Sequence, residues 1–356
     1  MQGTASHVVS GTVGQRATVL PLQVLGFEVD AINSVQFSNH TGYPAGFRGQ
    51  VLSGPALADL TDGLDANGLL GGVTHLLTGY IGSASFLRGV VDTRRRLAAA
   101  SPGLVYVCDP VLGDGGRLYV PSELVAIYRE EVLPLATVAT PNAYELGLLA
   151  GVEGEVVDED GAFAACDTLH DTTGVAAIVV TSLNPPSPPD RDATPRCGGA
   201  TDNGGSTGHA NNNGELVTML VSAAHGRHRW AVDAPRLPGA YTGAGDMAAA
   251  LVLAWATIAT EAGDAAPLAT AATHAMATVA AVLRRTCDRA TAAVAAAAAG
   301  GATKGTTTEA TAGPRRPPPE LQLVASLGEV VCPPIPLVTV REVPGRGSTD
   351  RSGQTT

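Results

Sequence analysis

The chain has 356 residues, 45% of them hydrophobic, 15% charged and 4% aromatic, with 43 glycines and 24 prolines. That supplies a core for one large domain or two small ones, with stretches left over that are too small and polar to join it. A net charge of −11 excludes nucleic acid as a main partner, and an anionic substrate would need positive charge from helix termini or bound cations.

Residues 1–10 are small and polar and lead into Gly11-Thr12-Val13-Gly14. A helix is expected over the apolar positions Ala17, Leu20, Leu22, Val24 and Leu25, stopped by Gly26. Phe27 to Ile32 alternates like a strand, and Ser34 to Gly46 reads as a polar loop. From there helices and strands alternate: helix Leu57 to Leu70, strand Val73 to Thr78, helix Phe86 to Ala100, strand Leu104 to Cys108. A helix at Pro121 to Glu131 precedes a short strand that ends at Thr140-Pro141-Asn142. Helices follow at Tyr144 to Leu149 and Phe163 to His170, then a strand at Ala176 to Val180.

Strands alternating with helices imply a parallel sheet covered on both faces, with ligands beyond the carboxyl ends of the strands. The polar clusters fall there: Asp109 and Asp114, Thr140 to Glu145, and Thr181 with Ser182. Convergence of acids, amides and hydroxyls on one edge is more than random loop polarity explains.

Residues 184–214 are rich in Pro, Gly, Asn and Asp without periodicity and read as a disordered insertion. Leu216 to Val221 resumes strand character, with His225 to Asp233 as the second arm of a hairpin. Then comes Tyr241-Thr242-Gly243-Ala244-Gly245-Asp246, followed by the alanine-rich helix from Met247. The glycines permit a tight turn, and the helix behind them aims unpaired N–H groups and its positive dipole end into that turn. Asp246 stands at the mouth, suited to a cap or a base. A second alanine-rich helix runs from Ala265 to Thr286, its core face marked by Leu268, Met276, Val279 and Leu283. Residues 303–319 look like a linker, Leu321 to Val324 like a last short strand, and residues 344–356 like a disordered tail.

The five cysteines are scattered and form no C-x-x-C pair, which fits reduced thiols and neither a disulfide framework nor a zinc site. No basic-then-apolar leader opens the chain, and the longest apolar run, Met247 to Thr260, is too short to span a bilayer. A cytoplasmic protein with no membrane partner is the expectation. There is no P-loop, no G-x-G-x-x-G after the first strand, and no G-x-S-x-G elbow. What remains is a helix-terminus anion site with an aspartate, plus acidic loops able to hold Mg²⁺, a combination suited to phosphoryl transfer.

Gly243-Ala244-Gly245-Asp246 resembles the Gly-x-Gly-Asp signature of the ribokinase-like kinases. The blocks 21–30, 33–43, 77–80, 105–114 and 140–142 narrow the likeness to the pyridoxal kinases within that superfamily. The resemblance covers most of residues 5–182 and 215–290, and thinly 317–331. It implies a three-layer α/β fold, a central mostly parallel sheet with helices on both faces. It places the kinase domain in residues 1–302, with the insertion inside it and an extension over 303–343 packed on it. The implied reaction is ATP-dependent phosphorylation of the 5′-hydroxymethyl group of pyridoxal, and of pyridoxine and pyridoxamine. Asp246 would be the base, and Gly243 to Gly245 would supply N–H donors to the developing charge. Ser6 and Thr41 would bond the pyridine ring, with Val13, Phe37, His40 and Tyr80 around it. Asp114 would be linked to Mg²⁺. Asp109, Thr140 and Thr181 would lie near a monovalent cation, K⁺ or Na⁺. Asn142, Glu145, Thr181 and Ser182 would face ATP together with Asp109 and Ala244, and Leu237, Pro238 and Gly239 would pass its adenine. A homodimer is implied as well.

The chain also departs from the pattern. Met1 to Ala5 is short and small where the family has an apolar strand, so that strand is expected to be weak or to begin upstream. The loop after Asp114 is shorter than in animal members, and Ala244 replaces a frequent threonine. Two other readings follow: a hydroxymethylpyrimidine kinase, and a catalytically weakened member that binds pyridoxal or its phosphate without transfer.

Deleting residues 184–214 should leave a soluble protein with a cooperative melt. Aggregation or a non-cooperative transition would show that the segment is part of the fold.

Overall fold

The computed structural model describes residues 1–152, 156–183, 215–300 and 319–347. The 184–214 insertion, nearly all of the 303–319 linker and the end of the tail lie outside them. In chain order the strands are β1 (Gln2–Val8), β2 (Asp30–Phe37), β3 (Gly49–Val51), β4 (His75–Thr78), β5 (Val105–Cys108), β6 (Gly113–Asp114), β7 (Arg117–Leu118), β8 (Val138–Ala139), β9 (Ala177–Leu183), β10 (Leu216–Ala223), β11 (His228–Pro235) and β12 (Thr339–Val343). The α-helices are α1 (Gln15–Val24), α2 (Gly54–Ala66), α3 (Ala84–Ala100), α4 (Glu123–Ile127), α5 (Ala143–Ala150), α6 (Glu159–Thr173), α7 (Ala244–Glu261), α8 (Pro267–Gly300) and α9 (Leu327–Val331).

Ten strands form one sheet in the order β12-β11-β10-β9-β8-β5-β4-β1-β2-β3. The six central strands, β9 to β2 in that order, pair in parallel, and both flanks are antiparallel. This is the three-layer arrangement the alternating pattern implies. Successive residues on each inner strand face opposite layers. Leu76, Tyr106 and Ile178 pack into a core with Leu57, Phe86, Leu124, Leu146 and Phe163 of α2 to α6. Their neighbours Leu77, Val107 and Val179 pack into a second core with Leu22 of α1, the Met247–Ala254 run of α7, and Ala272 and Ala275 of α8. Burial on both faces explains why these strands read as continuous apolar runs.

Three expectations are corrected. The opening segment is a seven-residue strand inside the sheet, third from the β3 edge, with five of its first six residues buried. Its residues are small because its surroundings are tight. A Cβ on Gly3 would sit 3.4 Å from the Gln15 side chain, and a Cβ on Gly79 would lie 3.2 Å from that of Ala5. The strand after α1 is Asp30–Phe37, so Ser34 to Phe37 belong to the sheet and not to the loop. Ser34 is polar but buried, its hydroxyl donating to the Tyr80 carbonyl at 2.6 Å. Leu321 to Val324 is not a strand. Leu321 and Leu323 enter the second core ahead of α9, and the last strand is β12, antiparallel to β11.

Smaller differences have local causes. His225 lies in the β10–β11 turn and not in a strand, since Ala224 and His225 both adopt positive φ. Asp114 and Arg117 flank Gly115 and Gly116, which have φ of 55° and 74°. Positive φ at both positions is what a two-residue hairpin turn requires, and it accounts for the short loop there.

Because β1 is packed to its limit, Ala5→Leu should lower stability by about 1–3 kcal/mol. Urea unfolding would show this as a lower midpoint at unchanged slope, and a wild-type midpoint would mean the strand has room to spare.

Candidate active site

The chain reverses direction across the sheet at β1, which pairs with β2 on one side and β4 on the other. In open parallel sheets this is where a crevice forms beyond the carboxyl ends. A cavity of about 460 Å³ lies there, reaching from β2 to β10. Those strands are six sheet positions apart, on the order of 25–30 Å at the usual strand spacing. Two ligands can therefore sit side by side.

Asp246 is at the middle of this groove, in the first turn of α7. Gly243 caps that helix with φ 90° and no side-chain hydrogen bond. A Cβ there would come within 2.2 Å of the Thr12 carbonyl oxygen, so only glycine fits. The first intrahelical bond from this end runs from Met247 N–H to the Gly243 carbonyl. The N–H groups of Ala244, Gly245 and Asp246 precede it and have no intrahelical acceptor.

The Asp246 carboxylate is held by the opposite turn. Gly14 N–H donates to Oδ2 at 2.9 Å. Gly14 has φ 53°, and a Cβ on it would lie 2.0 Å from the Ser6 carbonyl oxygen. Gly79 is the third close approach, its missing Cβ leaving 3.6 Å to Oδ1. Loss of hydration raises the Asp246 pKa to about 6, and the Gly14 bond opposes that rise without cancelling it.

Three more carboxylates line the cavity: Asp109, Asp114 and Glu145. Burial pushes Asp109 well above the usual range, repulsion from Glu145 and Asp246 adds to this, and a hydrogen bond with Thr140 opposes it. Burial also raises Glu145, against N–H donors from Asn142, Leu112 and Gly113. Asn142 and Glu145 form a reciprocal capping box on α5. The other Glu145 oxygen, Oε1, reaches across to the loop after β5 and accepts from Leu112 and Gly113 N–H, and Asn142 Nδ2 donates to the Gly113 carbonyl at 2.8 Å. Asp114 Oδ1 accepts from Gly115 N–H at 2.8 Å. No Lys or Arg is among the described lining residues. No group of three or more His, Cys, Asp or Glu side chains among the described residues is arranged to hold a metal ion alone.

Of the residues singled out by sequence, Ser6, Val13, Phe37, His40, Thr41, Tyr80, Asp109, Asp114, Asn142, Glu145, Thr181, Ser182, Gly243, Ala244, Gly245 and Asp246 all line the one cavity. Thr140 is fully buried behind it, its hydroxyl 3.5 Å from the Cys108 carbonyl. Leu237, Pro238 and Gly239 do not line it. The Pro238 carbonyl instead accepts from the hydroxyl of Tyr241, which does.

Sequence reasoning missed several groups. Gly14 was visible as half of a glycine-flanked turn before a helix, a signal for a backbone that must approach something closely. Val217 and Met219 of β10 with Met276, Val279 and Leu283 of α8 form an apolar wall of the same cavity. Their spacing is that of an ordinary core face, so nothing separates them from buried residues before folding. Tyr119, just after β7, also faces the cavity.

A family model described as phosphomethylpyrimidine kinase matches residues 71–194. The chain is 43% identical over 283 residues to a pyridoxal kinase of Arabidopsis thaliana, covering 80% of this chain and 81% of that one. It is 41% identical over 254 residues to a pyridoxal kinase of Homo sapiens, covering 70% and 75%. Among solved structures it resembles the pyridoxal kinase from Leishmania donovani in complex with ADP and pyridoxamine. The TM-score there is 0.73 at 30% identity, over 96% of this chain and 99% of that one. The complex of the same enzyme with ADP and pyridoxine gives the same TM-score and identity.

At pH 7 an ionised, dehydrated Asp246 costs stability, by about 3 kcal/mol for its rise from 3.8 to about 6. Asp246→Asn keeps an acceptor for Gly14 N–H and removes that charge. The variant should melt above wild type at pH 7, with the gain lost as the pH falls through 6 towards 4, where the wild-type carboxyl is protonated. Equal melting temperatures at pH 7 would refute the burial argument.

Proposed function

The chain belongs to the pyridoxal kinase family, and we propose that it moves the γ-phosphoryl group of ATP to the 5′-hydroxyl of pyridoxal, with pyridoxine and pyridoxamine as further substrates. The observation that carries this is Asp246: a carboxylate whose pKa is raised to about 6, fixed at a helix N-terminus in the middle of a groove long enough for two ligands. A base must be mostly deprotonated at working pH and still bind a proton well, which a pKa near 6 allows and one near 4 does poorly.

Asp246 takes the hydroxyl proton, the substrate oxygen bonds to the γ-phosphorus, and the bond to the β-phosphate bridging oxygen breaks. The products are the 5′-phosphate, ADP and a proton. The free N–H groups of the first turn of α7 face the space between the ligands, where they can receive the phosphoryl oxygens without reorganising. Phe37, His40, Thr41 and Tyr80 enclose the vitamer at the β2 end. Val217, Met219, Met276, Val279 and Leu283 offer an apolar wall for a nucleobase at the other.

The donor set fits cations held jointly by protein and phosphate. Four carboxylates with no lining Lys or Arg would repel ATP unless its charge were neutralised. Mg²⁺ is held by one or two carboxylates plus phosphate oxygens. Asp114, exposed at the hairpin, is the acid we assign to it. Asp109, Thr140 and Thr181 are assigned to a monovalent cation. Bound Mg²⁺ would neutralise charge on the transferring phosphoryl group. The reading extends to a cytoplasmic homodimer. A weakened binder is disfavoured, because its one support was a short first strand, and β1 is complete.

Asp246→Ala should lower kcat by about 10³-fold while KM for pyridoxal changes little. Wild-type kcat should fall below pH 6 as the base becomes protonated. A variant within tenfold of wild type, or a rate that rises on acidification, would sink this role.

A further inference from the structure

Glu320 stands outside the cavity wall yet organises it. It precedes Leu321 and Leu323, which are anchored in the core beside α1 and α7. Its carboxylate is turned back toward the site, with side-chain exposure of 27%. Oε2 accepts Thr12 N–H at 2.7 Å. Oε1 accepts the Tyr43 hydroxyl at 2.9 Å and lies 3.2 Å from His40 Nε2. Gly11 makes room for it, since a Cβ there would come within 3.0 Å of Oε1.

These three donors come from two loops that meet the site. Val13, between Thr12 and Gly14, lines the cavity, as do His40, Thr41 and Gly42. His40 is buried, and its Nδ1 accepts Gly42 N–H at 3.2 Å. That leaves Nε2 as the nitrogen that donates to Glu320. Both ring nitrogens are thus committed, and the ring can present only one face to the cavity. Burial works against the ionised carboxylate, but the His40, Thr12 and Tyr43 donors outweigh it and hold its pKa below the usual value.

We propose that Glu320 is a positioning residue for the vitamer half of the site: without touching substrate, it locks the His40 ring and ties the 11–14 turn to the 40–43 loop. The identity of the substrate rests on the kinase reading, while the clasp itself does not. The turn it anchors is the one whose Gly14 N–H holds Asp246, so the clasp connects the ring-binding loop to the base through two residues of backbone.

The test is steady-state kinetics of the full chain with pyridoxal and MgATP, together with hydrogen exchange on the ligand-free protein. Glu320→Ala should raise KM for pyridoxal about tenfold, keep kcat within about twofold and leave KM for ATP unchanged, the pattern of lost uniform binding to one substrate. Glu320→Gln keeps one accepting oxygen and should recover part of the loss. In a His40→Ala background, Glu320→Ala should add little, since contacting residues on one path are not additive. Tyr43→Phe removes a single bond and gives a milder form of the same change should the alanine variant fold poorly. Amides of residues 11–14 and 40–43 should exchange faster in Glu320→Ala. Equal rises in KM for both substrates, full additivity with His40→Ala, or unchanged exchange in both loops would overturn the proposal. Absence of pyridoxal turnover in wild type would refute the kinase reading alone, and the exchange result would still decide the clasp.

Discussion

One hydrogen bond closes the site: Gly14 N–H to the Asp246 carboxylate at 2.9 Å. It joins the turn after β1 to the first turn of α7, across 232 residues of sequence. Both turns depend on glycine for steric reasons that can be stated atom by atom. A side chain at 14 would strike the Ser6 carbonyl, and one at 243 would strike the Thr12 carbonyl. The two backbones are pressed together, and the carboxylate is left in the space between with a single directed donor. Around that contact lie the 40–42 loop on the β2 side, the acidic loops after β5 and β8, and the apolar wall from β10 and α8.

The electrostatics follow from the same crowding. Asp109, Glu145 and Asp246 are dehydrated carboxylates within mutual influence, and burial is the leading cause of each raised pKa. Among the described lining residues no Lys or Arg relieves them. Holding three dehydrated carboxylates in their ionised form is costly to the fold. The strain is expected where function needs a poised base, and it is compensated by cores on both faces of the sheet.

Much of this was legible in sequence, for identifiable reasons. Parallel strands buried on both sides give long apolar runs, so β4, β5 and β9 stood out, and the polar residues that follow them marked the cavity edge. The Gly243 to Asp246 turn is an ordinary glycine turn by itself, and it was legible because polar strand ends converge on one edge and the sequence carries no other phosphate-binding motif. What was hidden shares a different cause. β1 looked too small to be a strand because Gly3 and Ala5 answer to neighbours distant in sequence, and periodicity cannot report a tight fit. Ser34 looked like loop because its buried hydroxyl is satisfied by the Tyr80 carbonyl, a long-range bond. Met276, Val279 and Leu283 obeyed helix periodicity, which says a face is covered but not that a cavity covers it. Glu320 followed a proline-rich stretch, and only the fold brings it back to Thr12, His40 and Tyr43.

In the reaction we propose, this groove brings a B6 vitamer and ATP together across Asp246. That reaction is tested most directly by incubating the wild-type protein with pyridoxal and MgATP and quantifying products by phosphorus NMR. Pyridoxal 5′-phosphate and ADP should form in equal amounts, with no turnover when Mg²⁺ is withheld. ADP without the phosphorylated vitamer, or phosphorylation of hydroxymethylpyrimidine in clear preference to pyridoxal, would contradict it.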